Sequence, residues 1–321
     1  MFLQAYHSNH LIASAVGVVL NTYLMVVISQ CTRQATKQVN VILMASTIND
    51  LLFSLFELIL QHVIYQSDGV MYVLSFGFDK NVGPTLRLVL AYAHYHVLIQ
   101  VLIMQTAVHC YRYKIISQPR PPASAEFYRV FLLCSIPNTY LSLSFIVALH
   151  SGLKKDITEA TKNLPQAWKN SDGTNDVIAV VSWTDPQTKF YVLNNLLVVS
   201  AMTAVCVYYI YKCYMSVNNT DCLKLSLTTM RMRNQFNRCL IAQTAVIAVL
   251  KLVPSLMFSS TFALRLRGVY LGTPTMIGHV WFGAINALIP LLYIDGFRKF
   301  TVRLRYERPL RLREYAKRGK R

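Results

Sequence analysis

The chain is built from long apolar runs separated by short polar connectors. About 20 predominantly apolar residues carry a helix across hydrocarbon, and seven stretches reach that length: Leu11–Ser29, Val41–Tyr65, Pro84–His109, Phe127–Leu149, Phe190–Tyr211, Cys239–Leu264 and Tyr270–Ile294. The third organises the rest. It belongs to a run from Gly83 to Ile116 that ends His109-Cys110-Tyr111-Arg112-Tyr113-Lys114, and it carries Arg87, His94, His96 and Gln100 among apolar residues. Hydrocarbon offers these groups no hydrogen-bond partner, so neighbouring helices must supply one. The pattern predicts an all-α membrane protein, a seven-transmembrane helix bundle with the third span central and its polar part lining a cavity. Gln118-Pro119-Arg120-Pro121-Pro122 cannot continue that helix and ends it in a rigid turn.

Composition agrees. The chain is 54% hydrophobic and 14% charged, with positive mean hydropathy, outside the usual range of soluble domains. The net charge of +18 first suggests nucleic acid, but its distribution argues otherwise. Basic residues gather after spans one, three and five, and eleven more follow Ile294. By the positive-inside rule these segments face the cytosol, which puts the N-terminus outside and the C-terminus inside. Anionic inner-leaflet lipid is the expected counter-charge, and no nucleic acid is expected.

All seven cysteines fall in expected cytosolic loops or helices and read as free thiols, with Cys31 or Cys213 open to palmitoylation. The sequon Asn218-Asn219-Thr220 falls inside and stays unglycosylated. The long segment His150 to Lys189 reads either as a lid over an outward-facing pocket or as a mobile connector. Val177–Val181 within it predicts a short strand and tips the reading towards the lid.

Helix rise places Asn21, Asp50 and Asn286 together, roughly 12–15 Å above the cytosolic face. They form either a hydrated polar node that repacks when helices move or a hydrogen-bonded cluster that fixes packing. Glu57, His96, Lys251 and His279 lie higher, at roughly 20–25 Å, with Tyr92, Gln100 and the Asn194-Asn195 pair near them. Intramembrane ionisable groups are functional candidates. Two readings stay open: a ligand cavity with Glu57 and Lys251 as charged handles, or a Glu57–Lys251 ion pair with histidines bonded to backbone or tyrosine. Pro254 in span six and Pro290 in span seven permit kinks.

Seven spans, the aromatic-Arg-aromatic triplet closing span three, Pro254, and Pro290-Leu-Leu-Tyr293 before Phe297-Arg298-Lys299 resemble a G-protein-coupled receptor. The segment from Asn40 through Asn49-Asp50-Leu-Leu, Tyr72-Val-Leu-Ser-Phe-Gly77, Gly83-Pro84-Thr85 and Tyr111-Arg112-Tyr113 resemble the Srd group of nematode chemoreceptors. The resemblance implies a plasma-membrane receptor, in a sensory cilium, that couples an odorant or pheromone to a heterotrimeric G protein. Carried over by position, Arg112 matches the Arg of the Asp/Glu-Arg-Tyr motif and Tyr293 the Tyr of Asn-Pro-x-x-Tyr. Three departures stand out: Tyr111 replaces the acid, Ile289 replaces the Asn before Pro290 with Asn286 one turn earlier, and no cysteine is placed for the customary outer disulfide.

The expected mechanism follows. A small-molecule ligand binds among Glu57, Tyr92, His96, Gln100, Asn194, Lys251 and His279, and span six swings about Pro254. Arg112, Tyr113, Pro290 and Tyr293 form the switch beside the G protein. Residues 1–296 form the receptor domain and 297–321 a basic tail, whose Phe297, Phe300 and Leu304 predict a short amphipathic helix on the inner leaflet. No cofactor, metal or enzymatic activity is expected. The alternative is a transporter or channel, disfavoured by the odd span number and the lack of an inverted repeat.

Overall fold

A computed structural model describes residues 2–31, 37–118, 122–153, 159, 161–170, 174–219, 227–266 and 272–300. In chain order these form α1 (Phe2–Gln30), α2 (Lys37–Leu60), β1 (His62–Ser67), β2 (Val70–Ser75), α3 (Pro84–Ser117), α4 (Ser124–Leu153), β3 (Val177–Ser182), α5 (Pro186–Asn219), α6 (Leu227–Ile247), α7 (Val253–Ala263) and α8 (Gly272–Tyr293). A π-helical turn, Ala248–Leu252, joins α6 to α7, making one rod of the sixth span. Six rods are long and apolar enough to cross a membrane, and Ile277–Tyr293 is a shorter apolar seventh. Their outer faces carry bare apolar side chains, with Val19, Leu133, Leu197 and Val249 each about two-thirds exposed, as expected where lipid is the solvent.

Local chemistry sets the ends of these rods. Pro84 opens α3 at its first turn behind an extended Gly83, where a missing N–H costs nothing. The helix runs through Arg112 to Ser117 and stops before Pro119, with Lys114 in its last turn. Close packing of α1, α2 and α8 depends on two glycines. A Cβ on Gly17 would lie 2.6 Å from Ser54 Oγ, and one on Gly283 would collide with the same hydroxyl.

The bundle carries a small sheet that the all-helical expectation omits. Span two was expected to run to Tyr65, but α2 stops at Leu60. Gln61 takes a positive φ of 49° and the chain turns back as β1. Asp68 and Gly69, at φ 54° and 72°, close a two-residue hairpin into β2; Asp-Gly suits such a turn because both central residues need positive φ. The expected strand in the long segment is present as β3, antiparallel to β2, giving the order β1-β2-β3.

Alternation along β2 buries both faces of the sheet. Met71 and Val73 pack with Tyr95, Phe145 and Leu149 of the bundle. Tyr72 and Leu74 pack with Trp168, Leu164 and Tyr6. The described residues of the long segment thus cap one end of the bundle by strand pairing and apolar contact, and Cys110, Cys134, Cys206 and Cys239 are free thiols. Cys222 and the sequon's Thr220 lie outside the described residues, as does most of the expected amphipathic tail helix. Residues 295–300 are helical, with Phe297 buried against α1 and α2.

Candidate functional site

Seven residues, close to two helical turns, separate Asp50 from Glu57 on α2, so both carboxylates face the same neighbours. Both are at least 95% buried. Asp50 accepts a hydrogen bond from Asn286 Nδ2 at 2.5 Å, which ties α2 to α8. Asn21 joins this layer through backbone: its Nδ2 donates to Gly283 O at 3.0 Å and to Gly17 O at 2.8 Å. The three residues placed at one depth by helix rise therefore meet in one layer, with Asn21 one step removed from the carboxylate.

Two turns along α2, Glu57 contacts His10 Nε2 at 2.8 Å and His94 Nε2 at 3.2 Å. A relay continues from there to the sheet. His94 Nδ1 lies 3.0 Å from His62 Nδ1, His62 Nε2 lies 2.6 Å from Asp79 Oδ2, and Ser75 Oγ donates to the other Asp79 oxygen. Arg87 Nε adds a bond to the Asp79 carbonyl at 3.2 Å. Two facing imidazole nitrogens require one ring to accept, so His62 and His94 cannot both be cationic without losing their contact. Burial pulls His62 below the usual histidine range against the opposing effect of its hydrogen bond to Asp79. Asp79 is itself pushed up by burial, but the hydrogen bonds from His62 and Ser75 outweigh that and hold it low. A neutral His62 donating to an ionised Asp79 fits both directions.

Glu57 therefore spends its charge on histidines, and the Glu57–Lys251 ion pair is not formed. Lys251 is fully buried in the π turn. Its Nζ sits 3.5 Å from the Phe53 ring centroid and 4.5 Å from that of Phe282, and it has no hydrogen-bond partner. Cation–π contact is worth about 2 kcal/mol when desolvated, which offsets part of the cost of burying an ammonium.

The other expected ligand residues divide. His96 stacks on Tyr92 at 5.7 Å but turns to α4, where Asn138 Nδ2 donates to its carbonyl at 3.0 Å and Ser142 Oγ lies 3.3 Å from its Nδ1. Gln100 sits in the same cluster, accepting from Asn138 at 2.6 Å and donating to Ser135 at 3.0 Å. These three lie at the α3–α4 contact, apart from Glu57. Asn194 is half-buried; its neighbour Asn195 points inward, donating to Ser259 at 3.0 Å and accepting from Tyr95 at 3.4 Å. His279 is buried on α8.

At the opposite end Arg112 is buried. Tyr111, the aromatic residue before Arg112, donates to the carbonyls of Pro122 and Ala123 at 3.2 and 3.3 Å and packs edge-on against Phe127. It fastens the turn into α4. Tyr113 lies 6.0 Å from Tyr209, and Tyr293 is 43% exposed. Pro254 opens α7 directly after the π turn, which accommodates the Leu250 carbonyl left without its donor. Pro290 frees the carbonyl of Asn286 in the same way. Gln235 of α6 donates to Asp295 Oδ2 at 2.6 Å and accepts from the Asp295 N–H at 3.4 Å, clamping the sixth span to the segment after α8.

Sequence reasoning missed His10, His62, Asp79, Asn138 and Gln235. His10 stands one residue before the expected start of span one, and His62 fell inside the apolar run assigned to span two. Among the described residues no cluster of histidine, cysteine and carboxylate ligands is arranged to hold a metal.

Residues 7–302 match the family described as the serpentine type 7TM GPCR chemoreceptor Str. Among solved structures, squid rhodopsin superposes with a TM-score of 0.64 at 10% identity, covering 94% of this chain and 80% of its own; that likeness concerns the fold. No curated protein matches the chain in sequence.

Proposed function

Because the chain belongs to the Str family of serpentine seven-transmembrane chemoreceptors, we propose that it is a chemosensory receptor for a small acidic ligand that signals through a heterotrimeric G protein. The observation that carries the ligand class is Lys251, a fully buried lysine whose Nζ has no hydrogen-bond partner. A ligand carboxylate that accepts from Nζ gains a charge-assisted hydrogen bond where the ammonium now has only ring faces. The histidine contacts of Glu57 leave Lys251 available for it.

The sheet end then faces outside and the basic end the cytosol, in line with the positive-inside rule. A ligand shifts the resting state only through different affinities for two conformations. Lys251 sits in the π turn just before Pro254, so engaging it acts on the joint of the sixth span. Movement there loosens the Gln235–Asp295 clamp and opens the face around Arg112, Tyr113 and Tyr293 to a G protein. Residence in the plasma membrane of a sensory cilium, olfaction and nematode origin belong to the same proposal. The short motifs that resemble Srd sequences support no more than the serpentine chemoreceptor class, since the match over most of the chain is to Str. Family membership also favours the receptor over a transporter or channel.

The test is a panel of small carboxylic acids on cells carrying a G-protein reporter. Lys251→Met lowers the response to an active acid at least tenfold at equal surface expression. A full response from Lys251→Met removes the acidic-ligand assignment.

A further inference from the structure

Between α3, α5 and the π turn is a cavity of about 100 Å³. Its wall is mostly apolar, and its threonines already use their hydroxyl protons. Thr106 donates to Met202 O at 3.2 Å, Thr203 to Val199 O at 2.7 Å and Thr244 to Leu240 O at 2.8 Å. Gln105 differs: the residue is only 5% exposed, lines the cavity, and its Oε1 has no hydrogen-bond partner. A buried amide oxygen beside an apolar void lacks a donor.

We infer that this cavity binds a small apolar alcohol, whose hydroxyl donates to Gln105 Oε1 and whose hydrocarbon fills the space between α3, α5 and the π turn. An apolar cavity of about 150 Å³ holds benzene with its six heavy atoms, so the volume here suits roughly four, with the end of a slightly longer chain at the rim. Val207 lies on the rim and is 58% exposed on the outer surface of α5, so the approach runs through lipid, where such alcohols partition. Ile247, Ala248 and Leu252 form part of the wall, and the last two lie within the π turn itself. An occupant therefore supports that turn, and by linkage it changes the affinity of any ligand that acts on the same turn. Direct binding can be measured whether or not the acidic-ligand reading holds.

The experiment uses full-length receptor in lipid nanodiscs, with 4-fluoro-1-butanol and 1-fluorobutane followed by fluorine NMR against empty nanodiscs. Wild-type receptor should show saturable alcohol binding at least tenfold tighter than that of the fluoroalkane. Gln105→Leu should weaken the alcohol about tenfold while keeping the fluoroalkane, and Thr203→Phe, which fills the space, should remove both. Absence of a saturable component in the wild type, as with a cavity held by water or a lipid chain alone, overturns the site. So does an alcohol preference that survives in a folded Gln105→Leu receptor. If that variant fails to fold, equal binding of the two probes to wild type decides against the site.

Discussion

The two ends of the bundle hold their charges in different ways. At the sheet end, His10, Glu57, His94, His62 and Asp79 form a chain of buried contacts that joins α1, α2, β1, the turn before α3 and α3 itself. Among the described residues, the ion pairs of the basic end are wetter. Lys114 and Glu126 meet at 3.1 Å with about a third of each side chain exposed, and Arg298 meets Asp295 at 2.8 Å with Arg298 more than half exposed. Exposed pairs contribute little, about 0–1 kcal/mol, whereas a buried charge that loses its partner costs several. Among the described ion pairs, those of the basic end are thus the cheaper to break.

The largest expected effect tests that contrast directly. Glu57→Leu removes the acceptor shared by His10 and His94 and leaves two buried imidazoles to find new partners. Loss of one member of such a buried cluster costs about 3–5 kcal/mol. Purified Glu57→Leu receptor should melt well below wild type and reach the cell surface poorly, while Glu126→Leu changes neither appreciably. Equal melting of the two variants would erase the distinction between the ends.

The spans and the Asn21–Asp50–Asn286 layer were legible in the sequence, the relay of the sheet end was not, and the omissions have physical causes. Span lengths and basic loops follow from hydrocarbon thickness and surface charge, which act on composition alone. Asn21, Asp50 and Asn286 could be placed at one depth because helix rise is constant. Partner choice was not readable in that way, because it depends on rotation about each helix axis. Glu57 and Lys251 share a level, yet Glu57 turns to His10 and His94, and Lys251 to Phe53 and Phe282. His96 and Gln100 share the third span with His94 but face α4. The hairpin was hidden because Val63–Tyr65 continued an apolar run, although Asp68-Gly69 marked the turn.

A change of pH sharpens the comparison at intermediate magnitude. His62 has its folded pKa below the unfolded value because of burial, so its contribution to stability is complete above the ordinary histidine value of about 6.5 and is lost as pH falls through it. Asp79, also lowered, keeps its contribution until pH falls below the ordinary carboxylate value of about 4. The melting temperature should therefore fall between about pH 6.5 and pH 5, before carboxylate protonation adds to the loss. His62→Gln should reduce that slope while leaving its steeper acid limb. Identical slopes in the two proteins would show that His62 does not carry the dependence.

The smallest effect belongs to the basic end. The Gln235–Asp295 bond joins α6 to the segment beyond α8, and it stabilises the resting arrangement only if it is absent once the sixth span has moved. A hydrogen bond of this kind contributes about 1 kcal/mol, equivalent to roughly a fivefold change in the ratio of two states. Gln235→Ala should accordingly raise ligand-free signalling in the reporter cells by up to about fivefold, with the melting temperature little changed. Its effect should add to that of Lys251→Met, because the two residues stand roughly 24 Å apart along one rod without touching. A ligand-free signal that stays at the wild-type level at equal surface expression would mean that the clamp survives the movement, and the hinge would then have to lie on the cytosolic side of Gln235 instead of at the π turn.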